Sequence, residues 1–140
     1  MLVSVTDRDF EGMARDLLQK FRHLWDVRDP QLIADIVAPE AHSHWSGLGP
    51  VAGADYPAQW QSLVEMPDEV EHVVTGHAAT DPYLYISWHV TLRFGEEVVE
   101  YDGVDRFTIT DGPRASEVYV VFDTAPVRDV MRRRATSPQS

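Results

Sequence analysis

The chain has 140 residues, carries 12 basic against 23 acidic side chains for a formal charge of −11, and contains no cysteine. That length fits one domain with a real core, and the charge repels nucleic acid phosphates and anionic membranes, so neither is an expected partner. Without cysteine there is no disulfide framework, thiol nucleophile or cysteine metal site. No run of about 18 apolar residues occurs, so a membrane span is excluded. The opening MLVSVTDRDFEG lacks a basic region followed by an apolar stretch, so no secretory signal is expected and the expected compartment is the cytoplasm.

In chain order, Thr6 or Asp7 is the expected cap of a first helix, with Asp9 in its first turn. Phe10, Met13, Leu17, Leu18, Phe21, Leu24 and Trp25 follow at helical spacing and form one apolar stripe to about Val27. Asp29-Pro30 restarts a helix as cap and first residue, with Leu32, Ile33, Ile36 and Val37 buried and Pro39 as the stop. Ala41–Ser46 reads as a short strand before the turn-rich Gly47-Leu48-Gly49-Pro50. Asp55 and Pro57 open a third helix carrying Trp60, Leu63 and Val64, ended by Pro67. The period then changes to two. Glu69–Thr80, Tyr83–Phe94, Glu97–Thr110 and Ala115–Phe122 read as strands, separated by Asp81-Pro82, Gly95-Glu96 and Asp111-Gly112-Pro113. Val127–Arg134 forms a last short helix. The expected unit is a single domain over residues 1–134 with a frayed tail at 135–140. Its expected class is α+β, a cone-shaped barrel in which three N-terminal helices pack on a curved antiparallel sheet. Pockets favour the open end of such a cone.

One residue breaks the apolar pattern. In VVEYDGVDRFTI, residues 98–109, the odd positions Val99, Tyr101, Gly103, Asp105, Phe107 and Ile109 form the core face. Asp105 therefore puts a carboxylate where an unpaired charge is costly. Desolvation raises a carboxyl pKa, and a raised value suits proton transfer near neutrality; pairing with an Arg or with backbone N–H groups would instead make it structural. Tyr101 shares its face. His44 is a candidate second proton carrier, although alternation turns His42 and His44 outward if Trp45 faces inward. Those two histidines have no evident third partner, so no metal is expected. No G-x-S-x-G, Walker-type loop or H-E-x-x-H occurs, which disfavours serine-hydrolase and nucleotide-dependent chemistry. Asp123 ends the last strand and is expected to cap the following turn.

The segments Val27–Ala41 (VRDPQLIADIVAPEA), Gly49–Gly53 (GPVAG), Gly103–Gly112 (GVDRFTITDG) and Val118–Asp123 (VYVVFD), in this order of elements, resemble the nuclear transport factor two superfamily in its SnoaL-like and ketosteroid-isomerase-like branch. The resemblance runs from about residue 8 to 131 and implies the cone fold; the fold hosts isomerases, cyclases, dehydratases, hydrolases and binders. It places on Asp105 the neutral aspartic acid of the ketosteroid isomerases, a carboxyl kept protonated by its apolar site. Their tyrosine falls on Phe21 and their general base on Trp45, which argues against steroid isomerisation. The chain also resembles limonene epoxide hydrolase, whose two carboxylates and arginine fall near Ile86, Trp88 and Val120, all apolar here.

The resemblance further implies a ligand cavity walled by Phe21, Trp45, Trp60, Trp88, Val120 and Phe122, with Tyr101 and Asp105. The expected function is cofactor-independent acid–base chemistry of isomerase, cyclase or dehydratase type on a hydrophobic small molecule, polyketide-like or terpenoid. Asp105 would move the proton, assisted by Tyr101 and His44. The alternatives are a non-catalytic binder of such a ligand and a dimerising domain whose cavity is filled by side chains. His89, Arg93 and Tyr85 lie on the wetter sheet face, where this fold often forms homodimers.

Overall fold

A computed structural model describes residues 9–110 and 112–136. The first helix, α1, spans Phe10–Val27. Its cap is Asp9, whose carboxylate accepts from the Gly12 N–H at 3.0 Å; the expected caps Thr6 and Asp7 lie outside the described residues. Phe10, Ala14, Leu17, Leu18, Phe21 and Leu24 are buried along one stripe, each large side chain contributing about 1.5–3 kcal/mol by leaving water. Arg28 ends the helix in the left-handed conformation and donates its backbone N–H to Leu24.

The expected second α-helix is a single 3-10 segment, Pro30–Asp35, and it does not reach Pro39. Asp29 caps it as expected, accepting from the Gln31 N–H at 2.9 Å. Sheet pairing then wins: the Ala115 N–H takes the Ile36 carbonyl at 2.7 Å, and Val37 pairs with Ala115. The first strand, β1, consequently spans Val37–Trp45 and contains Pro39. Pro39 is tolerated because the register slips between Val37 and His42, where a missing N–H breaks no ladder bond. Gly53 packs there, with no room for a Cβ against the Ala38 and Pro39 carbonyls.

Strand β2 (Gly49–Ala52) returns along β1, and helix α2 spans Tyr56–Glu65. Strands β3 (Glu69–Thr80), β4 (Tyr83–Phe94), β5 (Glu97–Thr108) and β6 (Ala115–Phe122) follow, then helix α3 (Ala125–Thr136). Asp123 closes the turn into α3, as expected, accepting from the Ala125 N–H at 3.0 Å. The six strands form one curved, unclosed sheet in the order β2-β1-β6-β5-β4-β3. Pairing is antiparallel except for β1 beside β6, which run parallel. Phe21 of α1 meets His72 of β3 and Phe107 of β5 edge-on, so the helix lies across the inner face of the sheet. This is the α+β cone. No helix among the described residues is long and apolar enough to cross a membrane.

Candidate active site

Alternation along β5 delivers Asp105 to the inner face, where its side chain is only 4% exposed. Its sheet neighbours are Ile86 on β4 and Val120 on β6, both apolar. Among the described residues the one donor that reaches it is the Trp88 indole, Nε1 to Oδ1 at 3.1 Å, and no Arg or Lys pairs with it. Burial therefore pushes its pKa up from 3.8 to about 7, with the indole hydrogen bond pulling weakly the other way.

The Trp88 ring reaches Asp105 because Gly103, its cross-strand partner, leaves the space. A Cβ at 103 would lie 2.2 Å from Trp88 Cζ2. Trp88 in turn meets Tyr101 edge-on at 6.0 Å, and Tyr101 stacks on Phe122 at 5.3 Å. Tyr56, in the first turn of α2, packs on Trp45 at 4.9 Å. Its phenol pKa is pushed well above 10, first by burial and then by the Asp105 charge. Burial likewise lifts Tyr101 to about 12. Both phenols are proton-bearing donors at ordinary pH.

These groups wall one cavity, with about 70 Å³ of free space. Phe21, Trp45, Trp60, Trp88, Val120 and Phe122 all line it, with Tyr101 and Asp105. The space is well below the roughly 300–1,000 Å³ of small-molecule sites, because the aromatic rings themselves fill most of the cone. An outer groove of about 310 Å³, between α2 and the start of α3, adjoins it and shares Leu63, Leu92, Tyr101 and Phe122. The Tyr101–Phe122 pair therefore stands between cavity and groove.

His44 is placed elsewhere. Ala41, Ser43 and Trp45 point inward from β1, so His42 and His44 point out, and His44 lies against Tyr119 on the outer face at 5.5 Å. On that face His44 is kept away from the inward-facing Asp105, against the expectation that it assists the acid. Tyr101 lines the cavity but makes no hydrogen bond to Asp105; it packs on Trp88 and Phe122 instead. His89 sits on the outer face between Asp102 at 2.9 Å and Glu100 at 3.1 Å, and these hydrogen bonds raise its pKa. Among the described residues no three His, Asp or Glu side chains converge as a metal site.

Among the cavity residues that the sequence reading did not assign to it are Trp25, Tyr56 and His72. His72 is the consequential one. It stacks on Trp25 at 3.8 Å and 4°, tilts over Trp88 at 5.3 Å, and meets Phe21 at 5.6 Å. Burial, then the nearby Arg28 charge, lowers its pKa from 6.5 to about 3, with its own backbone pulling the other way, yet neither ring nitrogen makes a hydrogen bond among the described residues. Alternation could have found it, since Val70, His72 and Val74 share the inner face of β3.

A family model described as the SnoaL-like domain matches residues 18–118. No curated protein matches. Among solved structures, AclR, a candidate hydroxylase from Streptomyces galilaeus, is similar at TM-score 0.71 and 14% identity, with 91% of this chain and 86% of that chain covered. A candidate SnoaL-like polyketide cyclase from Jannaschia sp. CCS1 gives 0.68 and 16% over 99% of both chains. TerC, co-crystallised with polyporic acid, gives 0.72 and 14% over 86% of this chain and 98% of that one.

Proposed function

The chain belongs to the SnoaL-like domain family, and from that premise we propose that it binds a hydrophobic, ring-containing small molecule in the cone and moves a proton on it with Asp105. The reaction class is cofactor-independent isomerisation, cyclisation or dehydration, as on a polyketide-like substrate. The observation that carries this reading is a carboxyl group at the cavity wall, paired with no cation among the described residues, with a pKa near 7. Such a group is protonated and ionised in comparable amounts at neutral pH and serves as acid or base. Phe21, Trp45, Trp60, Trp88, Val120 and Phe122 hold the rings and exclude water. TerC, crystallised with polyporic acid, supports a ring ligand in this fold.

The free space of about 70 Å³ taken alone favours a cone filled for structural reasons. Asp105 argues against that, because burying an acid with no ion pair costs stability, and an Asn oxygen would accept the Trp88 indole N–H equally well without an ionisable group. A non-catalytic binder is the second reading, since a lone acid also suits a ligand anchor. A homodimer through the outer sheet face is part of the proposal, resting on Val73, Val98, Val104 and Val121 exposed there.

The test is a screen of apolar ring compounds by native mass spectrometry, followed by turnover of whatever binds. Asp105→Asn is expected to abolish turnover and largely retain affinity. Turnover undiminished in that variant removes Asp105 from the chemistry, and binding without turnover in the wild type selects the binder.

A further inference from the structure

On the helix side of the cavity the Trp25 indole N–H and both ring nitrogens of His72 are buried with no hydrogen-bond partner among the described residues. Leaving such atoms dry costs about 1–3 kcal/mol each, and most proteins pair them. The neighbouring indoles are paired: Trp45 Nε1 donates to Ser43 Oγ at 2.7 Å and Trp88 Nε1 to Asp105 at 3.1 Å. Trp25 and His72, stacked face to face, have nothing comparable. The cationic neighbour, Arg28, is not a partner either, since its guanidinium is held by the Val70 carbonyl.

We propose that Trp25 and His72 form an oxygen-binding subsite that fixes the ligand through a hydroxyl group, with His72 as a specificity-determining residue. The inference rests on the cone being the ligand site. Counting donors and acceptors selects the group. The indole offers one N–H, and a neutral imidazole offers one N–H and one bare nitrogen. A hydroxyl oxygen accepts from the indole N–H while its own hydrogen goes to the bare imidazole nitrogen, so one group pairs an atom of each kind across the two rings and leaves only the imidazole's other nitrogen. A carbonyl accepts but leaves the bare nitrogen dry. A carboxylate does the same and brings a charge into a cavity that no described Lys or Arg lines and that already holds Asp105. The imidazole stays neutral under Arg28 and the surrounding rings, so it recognises the hydroxyl rather than titrating with it. Separate duties follow: Asp105 moves a proton, and His72 with Trp25 sets the register of the ligand ring where α1 meets β3.

The isosteric probes 2-naphthol and 2-methylnaphthalene, titrated by fluorescence, test this on the intact protein. Wild type is expected to bind 2-naphthol about tenfold more tightly than 2-methylnaphthalene, the size of one relieved buried group. In His72→Phe, which keeps an aromatic ring and removes both nitrogens, the two affinities are expected to converge. His72→Gln, which restores a donor and an acceptor, is expected to recover part of the preference. Trp25→Phe, the second variant if His72→Phe fails to fold, is expected to reduce the preference severalfold. Equal affinities in wild type, or an undiminished preference in His72→Phe or Trp25→Phe, overturn the proposal. So does a preference that vanishes in Asp105→Asn, because the hydroxyl would then sit at Asp105. These outcomes leave the cavity standing as the ligand site. If neither probe binds at all, the cavity reading itself fails and the subsite falls with it.

Discussion

A methyl group at position 103 would meet three atoms of the Trp88 indole at 2.2–2.8 Å, so Gly103 and Trp88 act together to hold the one described N–H that reaches Asp105. That hydrogen bond lowers the Asp105 pKa against the larger effect of burial. Trp88→Phe keeps the ring and removes the donor, and it is expected to move the Asp105 pKa above about 7, read by titrating its carboxyl carbon in an NMR spectrum. Gly103→Ala is expected to do the same by displacing the indole, with overpacking costing about 1–3 kcal/mol. A pKa unchanged in Trp88→Phe would show that the indole does not tune the acid. Alternation alone marked Asp105 as an acid on a core face, so the central residue of the candidate site was legible from its own strand. The indole above Gly103 was not, because it depends on the register between β4 and β5. His72 was hidden differently: between Val70 and Val74 it reads as an inward position, but nothing local shows that its nitrogens find no partner.

The long strands β4 and β5 announce themselves because each alternates for 12 residues between turn signals, and β3 alternates through its first half before its register slips between Val74 and Gly76. The region from Pro30 to Trp45 does not, since Ile33, Ile36 and Val37 fall at helical spacing although Val37 begins a strand. What decides it is distant, the Ala115 N–H that takes the Ile36 carbonyl. The same non-local pairing positions the cavity mouth. Phe122 follows Val120 on β6, with its N–H held by Ser46 Oγ at 3.2 Å, and stacks on Tyr101 of β5. Cavity and outer groove meet at this pair. Phe122→Ala is expected to join the two spaces and to raise the association rate of 2-naphthol severalfold in stopped-flow fluorescence. The stability cost should stay below the roughly 3–5 kcal/mol of a fully buried Phe→Ala change, since Phe122 is half-buried. An unchanged association rate would place the entrance elsewhere.

Across the molecule, Asp105 and His72, two buried cavity groups shifted in the acid-to-neutral range, act on stability with opposite sign. Asp105 has a folded pKa near 7 against 3.8 for the free side chain. The folded state therefore holds a proton that the unfolded chain has lost, and stability declines as pH rises over that span. His72 has a folded pKa near 3 against 6.5, so its contribution is present above 6.5 and declines as pH falls. Each slope is at most about 1.4 kcal/mol per pH unit, and between about 4 and 6.5 the two oppose each other. Asp105→Asn removes one of them. Its stability relative to wild type, from urea melts run in parallel, is expected to rise steadily from pH 4 to pH 7 and level off above. A constant difference across that range would mean that Asp105 is not protonated in the folded protein.

The parallel clasp of β1 against β6 also has a temporal side. Trp45 and Val120 are partners in that clasp, yet the whole β3–β4–β5 meander lies between them in the chain. The meander closes by short hairpins, whereas the clasp must first overcome the entropy of a long loop. During synthesis the hairpins can assemble early, while the wall carrying Val120 and Phe122 exists only once the last strand has been made. The cone is thus completed by the final strand to arrive, and the proposed ligand surface is finished only at the end of folding.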